Sequence, residues 1–281
     1  MPAPDEIQNA VNDWSSQVLP QLLRSLCPLY KRGVHGPELV GSGTMIRVSG
    51  IVFVATAAHV VEDLGSGERY IGVADQLRKI PRHSLVNNLG LAADRISDRF
   101  DAGCMVFDPK ASESIPLSAT LSITDLDIDS PTTIADDASY LLAGYPASRQ
   151  PRKLLGDTLK AGIYPLLTTE HRMSEYGEIT LNRNQNLFVS YEKAETFYDG
   201  WARPGPNLQG MSGGALWRLD GNSTVAYRSP HLGAIALSWR LKSGPKGVVA
   251  LRMRHWLQLA ARRFPALFAR ELELQSDDRA V

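Results

Sequence analysis

Cysteine is nearly missing from this sequence: Cys27 and Cys104 are the only two in 281 residues. At most one disulfide is available, which excludes the bridge-stapled scaffolds of small secreted proteins. Cys104 falls in a segment that reads as a buried strand, where a reduced thiol is a common filler, so a reducing cytoplasm is the expected home. Long apolar runs are missing too. No stretch approaches the length needed to span a bilayer, and Met1 to Asp13 carries acidic and amide residues where an export signal would be basic and then apolar. No membrane partner is expected. Excess charge of one sign is also absent, since 30 basic residues offset 30 acidic ones and remove any overall attraction to nucleic acid. Arg252, Arg254, Arg262 and Arg263 read as the solvated face of a terminal helix, so no nucleic-acid partner is expected there either. His35, His83, His171, His231 and His255 show no metal-ligand spacing, and Leu64-Gly65-Ser66-Gly67 lacks the Lys-Ser/Thr ending of a phosphate loop. Neither a metal nor a cofactor is expected.

What is present fits a folded protein, with length enough for a sizeable core and no repeat or low-complexity tract. Asp5 can cap a helix whose apolar positions Ile7, Val11, Trp14, Val18, Leu22 and Leu26 share one face, with Pro20 as a kink. That face either covers an open end of the main domain or docks a regulatory partner. Arg32 to Pro37 reads as a linker. From Leu39 to Ala57 the pattern becomes that of a hairpin turning at Ser49-Gly50. Further strands are predicted at 102–107, 140–143, 178–181, 186–191, 215–219 and 231–239, with turns at Asp220-Gly221-Asn222 and Ser243-Gly244-Pro245. Helical spacing returns at Trp256, Leu257, Ala260 and Ala261, and again from Pro265 toward Leu274. The domain expectation is a helical extension over 1–32, a mainly β domain over 33–274 divided near 125–140, and a frayed tail over 275–281.

Three strings carry chemistry. A serine is a weak nucleophile until a base takes its proton, so a hydrolase needs serine and histidine in contact, a carboxylate to orient the imidazole, and donors for the oxyanion. Val54 to Val61 ends an apolar strand in Thr56-Ala57-Ala58-His59, preceded by Gly41-Ser42-Gly43-Thr44. Phe100-Asp101-Ala102-Gly103-Cys104 sets an acid at the mouth of another strand. Gly210-Met211-Ser212-Gly213-Gly214 flanks a serine with residues that permit sharp turns and inward-pointing amides. Asp94 and Asp98 stay open as alternatives to Asp101, which is favoured because the strand pattern starts immediately after it.

These strings resemble the trypsin-like (chymotrypsin-fold) serine peptidases, in the disulfide-free form of many bacterial members, over roughly Leu39 to Trp256. The order His, Asp, Ser is that of the chymotrypsin fold. The resemblance implies an all-β protein of two six-stranded antiparallel β-barrels, here with an N-terminal helix and C-terminal helices. It implies a serine endopeptidase acting on a protein or peptide substrate through an acyl-enzyme, with His59 as base and then acid, Asp101 orienting it, and Ser212 attacking. The amides of Gly210 and Ser212 would form the oxyanion hole, and Pro206, Gln209, Ser238, Trp239 and Arg240 would meet the substrate. Gly144-Tyr145-Pro146 is similar to a string that recurs in bacterial members.

The departures are informative. Val60 stands where digestive members have a cysteine. Met211 replaces the aspartate that pairs with a freed N-terminus, so activation by cleavage is not expected. Pro206 at the pocket floor gives no support to a preference for Lys or Arg, and Arg240 replaces a pocket glycine. Two other readings remain: a catalytically silent relative that binds through its cleft, and an α/β-hydrolase esterase, whose nucleophile elbow the string around Ser212 also satisfies, with Asp220 and His231 following in order.

Overall fold

The computed structural model describes residues 18–74, 76–80, 85–88, 100–128, 139–149, 161–179, 181–191, 196–198, 201–203, 205–219, 230–240 and 244–269. Two antiparallel sheets dominate it. The first is built from β1 (Leu26–Gly33), β2 (Gly36–Val48), β3 (Ile51–Ala57), β4 (Arg69–Val73), β5 (Gln76–Lys79), β6 (Leu85–Asn88) and β7 (Ala102–Val106), in the spatial order β5-β4-β1-β2-β3-β7-β6. It holds seven strands where six were expected. The predicted hairpin is its centre: Val48 pairs with Ile51, and Ser49 and Gly50, at φ 48° and 83°, supply the two left-handed positions that a two-residue turn requires.

The second sheet contains β8 (Ser139–Gly144), β9 (Tyr164–Thr169), β10 (Asn186–Ser190), β13 (Ala215–Leu219), β14 (His231–Arg240) and β15 (Gly247–Arg252), in the order β10-β15-β14-β13-β8-β9. A bridge between Glu170 and Val189 joins its two ends, so this sheet closes into a barrel. A short separate ribbon pairs β11 (Thr196–Tyr198) with β12 (Trp201–Arg203). Among the described residues, short α-helices flank the sheets: α1 (Leu19–Leu23), α2 (Ala58–Leu64), α3 (Pro109–Glu113), α4 (Met173–Glu178) and α5 (Met253–Arg263), with further helix over 265–269. Among the described residues no helix is long and apolar enough to cross a membrane.

Three local expectations are corrected. Leu26 is not on the N-terminal helix, and Arg32 to Pro37 is not a linker. Both belong to the β1–β2 hairpin, which pairs without interruption from Leu26↔Thr44 to Gly33↔Gly36 apart from one bulge. Strand β1 is buried on both faces from Leu26 to Tyr30, so it lacks the alternation that marks a strand, and the four-residue spacing of Leu22 and Leu26 imitates a helix. Glu178 ends helix α4 rather than opening a strand, because Glu175 accepts from the Arg172 N–H and caps that helix at its start. The reach of the N-terminal helix before Val18, the turn at Asp220-Gly221-Asn222 and the tail over 275–281 lie outside the described residues.

Candidate active site

Strand β3 ends at Ala57 and runs directly into α2, with His59 as the second helical residue. Its neighbour β7 begins at Ala102, paired with Ala57, so the residue before β7 faces the residues after β3. That residue is Asp101. Close approach of α2 to β7 depends on Gly103, where a Cβ would lie 2.7 Å from the Val61 side chain and 2.8 Å from the Ala57 carbonyl. Asp101 then grips the start of α2 with three acceptors. Its carbonyl takes the Ala58 N–H at 2.7 Å, one carboxylate oxygen takes the His59 N–H at 3.0 Å, and the other meets His59 Nδ1 at 2.7 Å. With Nδ1 donating to that carboxylate, the lone pair sits on Nε2, the nitrogen a general base needs. Asp94 and Asp98 lie outside the described residues.

Ser212 approaches from the second barrel on a loop that runs straight into β13. This is a strand and not a helix, so the nucleophile-elbow reading and its α/β-hydrolase fold are set aside. The carbonyls of Gln209, Gly210, Met211 and Ser212 accept from the Ala147 N–H at 2.7 Å, the Ser42 hydroxyl at 2.7 Å, the Gly214 N–H at 2.8 Å and the Ser42 N–H at 2.8 Å. The N–H groups of Met211 and Gly213 donate to Leu208 and Ala236. Among the described residues, the N–H groups of Gly210 and Ser212 have no partner, although both residues are buried. Orphaned buried donors are rare in folded proteins. A trans peptide holds C=O and N–H antiparallel, so anchoring the Gln209 and Met211 carbonyls outward aims these two amides the other way. Two free N–H donors two residues apart, one of them on the serine itself, suit a developing oxyanion.

The two halves meet at Gly41. A Cβ there would lie 2.6 Å from the Val60 side chain, next to His59, and 3.1 Å from the Ser212 carbonyl, so both residues press on one glycine. Gly213 is equally constrained, with φ 86° and space for a Cβ only 1.9 Å from the Ser42 carbonyl. The Ser212 hydroxyl, on a residue 5% exposed, donates to the Leu237 carbonyl at 2.9 Å. Leu237 sits at a bulge between Ala236 and Ser238 in the β14–β15 ladder, which turns its carbonyl out of register. In this state the hydroxyl faces Leu237 and not the imidazole.

Met211 is buried against the second-barrel core that includes Leu208 and Tyr164. A thioether in that place anchors the loop by packing, with no counter-charge needed. Pro206 is buried and its carbonyl accepts the Tyr191 hydroxyl at 2.6 Å, while Gln209 is exposed. Ser238 is exposed and Trp239 half-buried on a stretch of β14 that, among the described residues, pairs with β15 alone, since its ladder with β13 stops at Ile235. The side chain of Arg240 lies outside the described residues. Sequence reasoning quoted Ser42 within Gly41-Ser42-Gly43-Thr44 without giving its side chain a role, read Leu237 only as part of the strand Leu237-Ser238-Trp239 that would pair with substrate, and assigned no role to Ala147 or Tyr191. Of these only Ser42 carried a signal, a hydroxyl between two glycines inside an otherwise apolar strand.

No family model matches the chain, and no curated protein matches it in sequence. In fold it is similar to neuropsin, a serine protease expressed in the limbic system of mouse brain, with a TM-score of 0.52 and 12% sequence identity over 87% of this chain and 96% of that one. The likeness establishes the double-barrel fold of the trypsin-like proteases.

Proposed function

We propose that this protein is a serine endopeptidase that hydrolyses a protein substrate through an acyl-enzyme. The observation that carries the reading is the pair of amides at Gly210 and Ser212 left without a partner among the described residues, on a loop whose Ser212 carbonyl and the Val60 side chain, next to His59, both press on Gly41. An extended substrate segment would add to the open side of β14 at Ser238 and Trp239, as a strand adds to a sheet edge. The Ser212 hydroxyl rotates away from Leu237, gives its proton to His59 Nε2, and forms a bond to the scissile carbonyl carbon. The negative charge that collects on the carbonyl oxygen is met by the two amides, and Asp101 stabilises the imidazolium. His59 returns the proton to the leaving amine, and the same sequence with water releases the acid and restores Ser212. Burial of Met211 supports a loop that needs no freed N-terminus to hold it. Pro206 at the pocket floor favours an uncharged residue before the cut. A specific intracellular target, and restraint by a partner acting through the N-terminal segment, belong to the same proposal.

A second reading, a catalytically silent binding module, is favoured by the Ser212 hydroxyl resting on Leu237. Labelling by a fluorophosphonate and turnover of unfolded casein, each compared with Ser212→Ala, separate the two. The peptidase is expected to label and to cleave, and to lose both in the variant. A well-folded wild-type protein that does neither is the binder.

A further inference from the structure

Gly210 needs its φ of 90° and has no room for a side chain, since a Cβ would lie 2.7 Å from the Tyr145 carbonyl. Glycine meets that demand but restrains its own backbone least of all residues, so a peptide plane next to it flips at little cost. Something else must hold the loop. Ser42, on β2 of the opposite sheet and 0% exposed, supplies two of the four donors that fix the loop carbonyls. Its hydroxyl donates to the Gly210 carbonyl at 2.7 Å and accepts the Tyr145 N–H at 2.9 Å, while its own carbonyl takes the Thr56 hydroxyl at 2.8 Å.

We infer that Ser42 is a positioning residue for the oxyanion amides, an inference that rests on the peptidase reading of this site. Any residue could offer the N–H to Ser212; only a side-chain hydroxyl can join Gly210 to Tyr145. Without it, the Gly210 carbonyl loses the donor that holds it, and the cheapest relief is rotation of the Gly210–Met211 peptide about Gly210. That peptide carries the Met211 N–H and lies between the two peptides that carry the oxyanion donors, so its rotation displaces the Gly210 N–H on one side and the Ser212 N–H on the other. Thr56, three residues before His59, braces Ser42 from behind, so one residue ties the base-bearing strand to the nucleophile loop.

The test compares fluorophosphonate inactivation of the wild-type protein, Ser42→Ala and Ser42→Cys, which keeps the volume but is a weak donor. The expected result is a fall in kinact on the order of 10²-fold, the scale of losing one oxyanion donor, with KI within about two-fold and Tm lowered by only a few degrees. Variants that label at the wild-type rate overturn the inference and leave the peptidase standing. So does a parallel loss of kinact, KI and thermal stability in both variants, which would mark Ser42 as a packing residue only. Absence of wild-type labelling removes the peptidase and this inference together.

Discussion

Asp101 turns its backbone through φ 43°, a region that side chains enter rarely and that Asp and Asn tolerate best. The strain is held by its three hydrogen bonds to Ala58 and His59. Asparagine can keep that backbone, but its amide nitrogen cannot accept from Nδ1. Asp101→Asn is therefore expected to retain the fold by circular dichroism while fluorophosphonate labelling falls on the order of 10³- to 10⁴-fold; labelling near the wild-type rate would transfer the orienting role to another acid. The two cysteines give a second test at this scale. Burial pushes the Cys27 thiol up, and Cys104 is pushed up to about 12, also by burial. Both are free and buried, so neither should react with a disulfide reagent at pH 8 in the native protein, and both should react once it is denatured. Rapid native labelling would show that one of them is reachable.

Among the described elements, the closure of the second barrel buries a charged cluster. Glu170 is buried where β9 meets β10, and its carboxylate takes Arg183 and Arg252 at 2.9 Å each and the Tyr176 hydroxyl at 2.8 Å. The Tyr176 phenol is pushed up by burial and then by this carboxylate, so it stays a neutral donor. Glu170→Ala removes the carboxylate and leaves two largely buried guanidinium groups behind. A loss of roughly 3–5 kcal/mol in the urea unfolding free energy is expected. A loss below about 1 kcal/mol would mean that water replaces the carboxylate easily. This cluster had no mark in the sequence, because its members are scattered from Glu170 to Arg252 and each alone looks like a surface residue. The β2–β3 hairpin, by contrast, was legible from Ser49-Gly50 and the apolar runs on either side. Strand β1 was not, since burial on both faces erases the alternation that identifies a strand.

Across the whole molecule, helix α5 follows the last strand of the second barrel yet packs on the first. The Trp256 indole donates to the Gly103 carbonyl at 3.1 Å, and Trp256, Phe264 and Phe268 meet Phe53 edge-on at centroid distances of 6.5, 5.7 and 5.4 Å. This helix ties one barrel to strands β3 and β7, which carry His59 and Asp101 at their ends. Trp256→Ala should cost about 3–5 kcal/mol, the usual range for emptying a buried tryptophan site. Unfolding in urea should remain a single transition in the variant. Two separate transitions would mean that the barrels fold independently and that α5 is only a cover.

The candidate catalytic residues stand out in one dimension because each sits in its own local setting. A small-residue strand end lets His59 pack closely, an apolar strand follows Asp101, and glycines on both sides let the Ser212 loop turn. Those constraints are short-range, so they leave a local trace. What holds the three strings together is long-range and leaves none. The bond from Ser42 to Gly210 spans 168 positions, and that from Trp256 to Gly103 spans 153. The same is true of the resting contact of Ser212 with Leu237, which depends on a bulge between two strands. A strand's register against its neighbour is decided when the core packs, and only then does a given carbonyl face a given hydroxyl.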